Sequence, residues 1–319
     1  MREYLASEGR VYVNNVIVSL PNTVRFVDKK SGNTVDPSGL TKNTYLQIEL
    51  PREFNSVGLI DGQHRVFSYY EGSDQYEDTI ALKRVKQQLL VTGVIFPQDS
   101  TDEERAKFEA KLFLEINDRQ TRTKGDLRQA IQVIVNPYNS VAVAKAIVNR
   151  MSINGPLAGL LEAHYFGDGT IKTTSIVSYG LSHIVAFRAN VPQHSLYNLW
   201  NSKRKTVLDS TDDLAAWNEY VGFCTDEINT FFEGFKIYMT KRNLWTTNKK
   251  MSKALVTTSI NGLIYCLRLL VSNRKNGDRD YYAKGFSKLT IDFSPTKFPY
   301  KSSHWKSFGT KVANDCFGV

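Results

Sequence analysis

Along the first third of the chain, apolar and polar positions alternate in short runs. Asn14-Asn15-Val16-Ile17-Val18-Ser19-Leu20 is β-branched and stops at Pro21, and Thr44-Tyr45-Leu46-Gln47-Ile48-Glu49-Leu50 alternates up to Pro51, so both predict strands. Between them, residues 28–44 carry Ser31-Gly32-Asn33 and Asp36-Pro37-Ser38-Gly39, which predict a turn-rich loop or hairpin. Residues 57–60 and 89–96 predict two further strands. The first runs into Asp61-Gly62-Gln63-His64-Arg65, after which Val66, Phe67, Tyr69 and Tyr70 are compatible with a helix start.

From Ser100 the period lengthens to that of helices. Ser100 with Glu103 reads as a capping box, followed by an apolar face of Ala106, Phe108, Leu112, Phe113 and Ile116. Thr123 is the candidate cap of the next helix, which Asn136-Pro137 ends. Beyond it, helices are expected at 139–151, 156–164, 175–189, 212–240, 252–273 and 279–288, and strand signals nearly vanish. The fold class expected is therefore α+β. A mixed N-terminal domain, 1–125, precedes an all-helical C-terminal domain, 126–319, with no repeat or low-complexity linker.

Composition sharpens this picture. The 319 residues are 41% hydrophobic and 23% charged, outside the disordered class and long enough for one large or two ordinary domains. The best apolar run, 263–271, is short and carries Arg268, so no membrane partner is expected. The N-terminus has neither the basic start nor the apolar core of a secretory signal, which makes a cytosolic location the default expectation. Cys224, Cys266 and Cys316 are too few and too far apart for a disulfide framework and read as reduced and structural. His164, His183, His194 and His304 lack metal-ligand spacing, so no metal site is assigned. The absence of GxxxxGK[ST], GxGxxG and GxSxG withdraws the usual support for P-loop, Rossmann and α/β-hydrolase chemistry.

The net charge of +9 is unevenly spread. Residues 1–200 hold 22 Lys+Arg against 21 Asp+Glu, whereas 201–319 hold 19 against 11. Within 236–311 there are 16 basic side chains and only Asp278, Asp280 and Asp292 as acids. Such a stretch repels itself unless it meets an anion, and nucleic-acid phosphate is the commonest anionic partner. Lys241, Arg242, Lys249, Lys250 and Lys253 straddle a junction between two helices, and Arg274 and Lys275 form a second cluster. These seven are the candidate DNA-binding residues. The short expected link also fits a loose helix-turn-helix. A solvated basic surface kept for solubility is the plain alternative.

Asp61-Gly62-Gln63-His64-Arg65 concentrates a carboxylate, a flexible glycine, an amide, an imidazole and a guanidinium at a strand-to-helix turn. Backbone N–H groups there, with a forked Arg65, suit an anion, and Asp61 can hold a metal, orient His64 or bond a ribose hydroxyl. The plain alternative is an Asp61–Arg65 ion pair capping the helix, with His64 in the core.

This segment, preceded by Gly58-Leu59-Ile60, resembles the signature of the DGQHR-domain family, which includes DndB-like regulators of DNA phosphorothioation. Asn14-Asn15-Val16-Ile17-Val18 and Phe113-Leu114-Glu115-Ile116-Asn117-Asp118-Arg119-Gln120-Thr121 support the resemblance, which covers residues 1–135. Family members usually carry more sequence before the first strand, so the chain is expected to be a short variant or to lack part of an N-terminal helix. The DGQHR domain is in turn similar to the ParB/sulfiredoxin fold. That likeness implies phosphate contacts at Gly62, Gln63, His64 and Arg65, with Asn117 and Gln120 facing them, and a nucleoside triphosphate with Mg²⁺ as the cofactor. Gln63 stands where sulfiredoxins need a cysteine, which removes that chemistry.

The leading expectation is a DNA-binding regulator of a DNA-modification or phage-defence system. Double-stranded DNA and other proteins of that system are its partners, and self-association is left open. An enzyme that hydrolyses nucleotide or cleaves DNA with Asp61 and His64 as catalytic residues is the alternative. A protein-interaction module with a purely structural motif is the third.

Overall fold

The computed structural model describes residues 1–8, 14–40, 45–97, 99–120, 125–163, 169–188 and 191–319, the side chains of 118–120 excepted. It is a mixed α+β structure that divides into two compact units, Met1–Arg122 and Thr123–Val319.

The N-terminal unit begins with α1 (Arg2–Ser7), β1 (Val16–Leu20), β2 (Arg25–Val27) and β3 (Gln47–Glu49), and continues with β4 (Gly58–Asp61), α2 (Gln63–Phe67), α3 (Glu77–Lys86), β5 (Val91–Ile95) and α4 (Asp102–Gln120). β1 is the centre of a three-stranded sheet of order β4-β1-β5, antiparallel to β4 and parallel to β5. Ile17 lies opposite both Asp61 and Thr92, so the end of β4 that carries the motif is registered against the middle of the sheet. β2 and β3 form a separate antiparallel ribbon. The expected strands are all present, while β2 lies in a stretch without a strand signal. The capping box sits one residue later than expected. Thr101 and Glu104 exchange it, the Thr101 N–H donating to the Glu104 carboxylate at 2.9 Å and the Glu104 N–H to the Thr101 hydroxyl at 3.2 Å.

The C-terminal unit holds α5 (Gly125–Val135), α6 (Ser140–Ile153), β6 (Leu161–Glu162), β7 (Ile171–Lys172), α7 (Ser182–Ile184), α8 (Lys205–Ser210), α9 (Leu214–Lys241), α10 (Thr257–Ser272), α11 (Arg279–Phe286) and α12 (Trp305–Val312). The helix expected at 156–164 is absent; turns lead instead into a two-residue parallel ladder of β6 and β7. Leu157, Leu160 and Leu161 have helical spacing, but Gly155 and Gly159 take positive φ, which breaks a helix. The stretch at 175–189 is a π-helical turn, Ile176–Leu181, running into α7. α9 starts where expected, its Asp213 carboxylate accepting the Ala216 N–H at 2.5 Å. α10 starts at Thr257, later than expected.

This unit contains one continuous apolar core, in which α9, α11 and the tail meet edge to face. Phe231 lies 5.0 Å from Tyr282 and Phe235 lies 5.1 Å from Phe286, ring to ring. Buried polar groups of the aromatics find carbonyls: the Tyr238 hydroxyl donates to Leu289 at 2.6 Å and the Trp217 indole to Pro137 at 2.8 Å. α10 packs closely on α12, because a side chain at Gly309 would stand 2.3 Å from the Gly262 carbonyl. All three cysteines are buried, and burial pushes the Cys316 thiol up to about 12, so they act as core hydrophobes rather than nucleophiles. No single described helix is long and apolar enough to cross a membrane.

Candidate functional site

In the N-terminal unit the motif sits where β4 ends and α2 begins. Gly62 is the N-cap of α2 at φ 96°, a conformation that favours glycine. Asp61 and Arg65 form an ion pair at 2.9 Å, with side chains 19% and 15% exposed. The same Arg65 nitrogen also donates to the Asn15 carbonyl at 2.8 Å, which ties the turn to the start of β1. A Cβ on Gly62 would meet that nitrogen at 2.9 Å and the Val16 methyl at 3.1 Å. The guanidinium therefore fills the space above Gly62.

That packing bears on the triphosphate expected here. The guanidinium that would fork the phosphates is paired with Asp61 and held over Gly62, so in this arrangement it is not presented to such a group. Gln63 is exposed, and so is His64, which the plain alternative placed in the core. His64 lines an open hollow of about 400 Å³ with Arg2, Phe67, Tyr70 and Tyr76. No hydrogen bond joins Asp61 to His64 among the described residues; the Asp61 carboxylate is on Arg65 and does not orient the imidazole. The Asn117 amide donates to the Phe113 carbonyl of its own helix at 2.9 Å, and the side chain of Gln120 lies outside the described residues.

In the C-terminal unit the basic residues separate into three kinds. Lys241, Arg242, Lys249, Lys250 and Arg274 are exposed and form no ion pair among the described residues. The Arg242 guanidinium lies 4.5 Å from the Tyr238 ring, which orients it without neutralising it. Lys275 is engaged structurally, its ammonium donating to the carbonyls of Phe317 at 3.2 Å and Gly318 at 2.8 Å. Lys253 is half-buried and faces, with Lys249, a cleft that also takes in Lys172.

Two features of the expected interface change. The connection from α9 to α10 runs over all of 242–256, far longer than the three- to four-residue turn of a helix-turn-helix, and α10 is buried along most of its length. It is not a recognition helix. The clusters also lie apart: Lys253 precedes α10 and Arg274 follows it, and 16 helical residues span about 24 Å. Sequence reasoning missed Lys172, because β7 is two residues long and lies between two expected helices with no strand signal, and Phe298 and Tyr300, which stand in a loop without periodicity. Their only signal is the aromatic and proline density of 293–300.

No group of three or more His, Cys, Asp and Glu side chains able to hold a metal ion occurs among the described residues. Comparison with family models, curated proteins and solved structures finds no match to this chain.

Proposed function

We propose that this protein is a DNA-binding regulatory protein of a DNA-modification or phage-defence system, resembling the DndB-like regulators. The observation that carries the reading is the set of exposed cations around the α9–α10 connection, Lys241, Arg242, Lys249 and Lys250, which have no ion-pair partner among the described residues. Lysines and arginines held at helix ends and turns by a rigid core are the groups that grip a phosphate backbone. Their arrangement favours backbone contact over insertion of a helix into the major groove. The N-terminal unit is read as ParB/sulfiredoxin-like, supported by a mixed sheet whose β4 leads through Asp61-Gly62-Gln63-His64-Arg65 into a helix. Its Asp61–Arg65 clamp favours a structural role for the motif over a catalytic one.

Fluorescence anisotropy with labelled duplexes tests this reading. The duplexes are taken from upstream of DNA-modification genes and from scrambled sequence, each with and without a backbone phosphorothioate. Duplex binding is expected, weakened at least about tenfold in the double variant Lys249→Glu/Lys250→Glu. Equal affinity in wild type and variant defeats the DNA-binding half. Binding that ignores both sequence and phosphorothioate defeats the regulatory half.

A further inference from the structure

A cleft of about 550 Å³ opens in the C-terminal unit beside the start of α10, within the range of small-ligand sites. Three lysines line it: Lys172 from β7, and Lys249 and Lys253 from the α9–α10 connection. They come from two distant parts of the chain, none has an ion-pair partner among the described residues, and no carboxylate among those residues lines the cleft. Converging cations with no counter-ion raise the local potential and are relieved by an anion. Thr247, Thr257 and Thr258, each with a hydroxyl that can donate, line the same cleft.

The rest of the lining is of another chemistry. Pro295, Phe298 and Tyr300 present an apolar, aromatic surface to the same space. It is rigid: Phe298 stacks on Phe293 at 5.5 Å with ring planes 23° apart and meets Phe308 edge-on at 5.7 Å. The backbone of Lys253 is fixed as well. The Lys253 N–H donates to the Phe293 carbonyl at 2.8 Å, and the Lys253 carbonyl accepts the Ser259 hydroxyl at 2.6 Å. Cations and hydroxyls beside a flat aromatic surface suit a molecule with a phosphate at one end and a planar ring at the other.

We propose that this cleft binds one nucleoside phosphate, its phosphate held by Lys172, Lys249 and Lys253 and its base against Phe298 and Tyr300. The nucleotide is either free or an unpaired unit of a DNA strand, since the two share this chemistry; an intact duplex keeps its bases stacked and cannot offer one. The site goes beyond duplex binding and shares only Lys249 and Lys253 with it.

Isothermal titration of the full chain tests the proposal. Wild type, Lys172→Ala and Phe298→Leu are titrated with nucleoside monophosphates, the matching nucleosides, inorganic phosphate and a short single-stranded oligonucleotide. Saturable binding is expected, tighter for nucleotide than for either half, and weakened by about fivefold or more in each variant. Binding of free monophosphate identifies a free nucleotide as the ligand, and binding of the oligonucleotide alone identifies a strand. The proposal is overturned if neither binds, if inorganic phosphate binds as tightly as nucleotide, or if Lys172→Ala changes nothing. Lys172 is exposed, so that variant keeps the fold even where Phe298→Leu does not. In Lys241→Glu/Arg242→Glu, which leaves the cleft intact, duplex affinity should fall while nucleotide binding persists. Duplex affinity that does not fall there counts against the DNA reading alone.

Discussion

The two units of this chain keep their shape by different means. Among the described residues of the N-terminal unit the buried apolar ones are few, Leu5, Val16, Val18, Val27, Ile60 and Ile80, while Tyr45, Phe54, Leu82 and Val85 stand exposed. Several of its charged side chains are drawn into ion pairs. Arg2 pairs with Asp74 at 2.6 Å and with Glu77 at 2.7 Å, Arg84 pairs with the other Glu77 oxygen at 2.9 Å, and Asp61 holds Arg65. In the C-terminal unit Phe231, Phe232, Phe235, Phe286, Phe293 and Phe308 are essentially inaccessible. There Lys241, Arg242, Lys249 and Lys250 stand exposed with no ion-pair partner among the described residues. Cations that a fold does not need for its own stability are available to a ligand, whereas Arg65, which its unit does need, is not.

The largest effect that would sharpen this contrast is a cavity. Phe286→Ala removes a ring packed against Phe231, Phe235 and Phe317, and is expected to cost the C-terminal unit about 3–5 kcal/mol, read as a lower denaturant midpoint. A smaller cost would mean that this core is loosely packed.

Next in size is Gly62→Ala. The left-handed backbone and the 2.9 Å approach to the Arg65 nitrogen predict a loss of about 1–2 kcal/mol, seen as a lower unfolding midpoint of the N-terminal unit. No loss would show that Arg65 leaves its clamp freely, and would reopen the turn as a phosphate site.

The smallest is acid sensitivity. The Gly72 N–H, with Arg2 and Arg84, holds the Glu77 carboxyl down to about 2, below its usual 4.5. A depressed carboxyl stabilises the folded state above its unfolded pKa, and that contribution fades as pH falls from 4.5 towards 2. Glu77→Gln should remove this part of the acid dependence, measured as unfolding midpoint against pH, and leave the C-terminal unit unmoved.

How much of this was legible differs between the units for the same physical reason. Strands declare themselves by alternation and flanking prolines, so β1, β3, β4 and β5 stand where residues 14–20, 44–50, 57–60 and 89–96 place them. A helix inferred from spacing alone fails where glycines intervene, as at 156–164. α12 has its signal in Trp305, Phe308 and Val312 but lies among loop-like residues and outside the expected helices. The motif was visible because five chemically distinct residues are contiguous, yet its electrostatics were not, since Arg65 can turn outward to a ligand or inward to Asp61. The cleft was invisible because Lys172, Lys253 and Phe298 meet only through the fold.

On the proposed reading, the free cations around the α9–α10 connection hold a DNA backbone. The most direct test is the slope of log affinity against log salt for a duplex, in wild type and in Lys241→Glu/Arg242→Glu/Lys249→Glu/Lys250→Glu. A wild-type slope of about −3 or steeper, shallower by about three or more in the variant, is the predicted result, since each lost phosphate contact removes about 0.9 from the slope. Slopes that coincide would contradict the claim and leave these side chains a solvated surface.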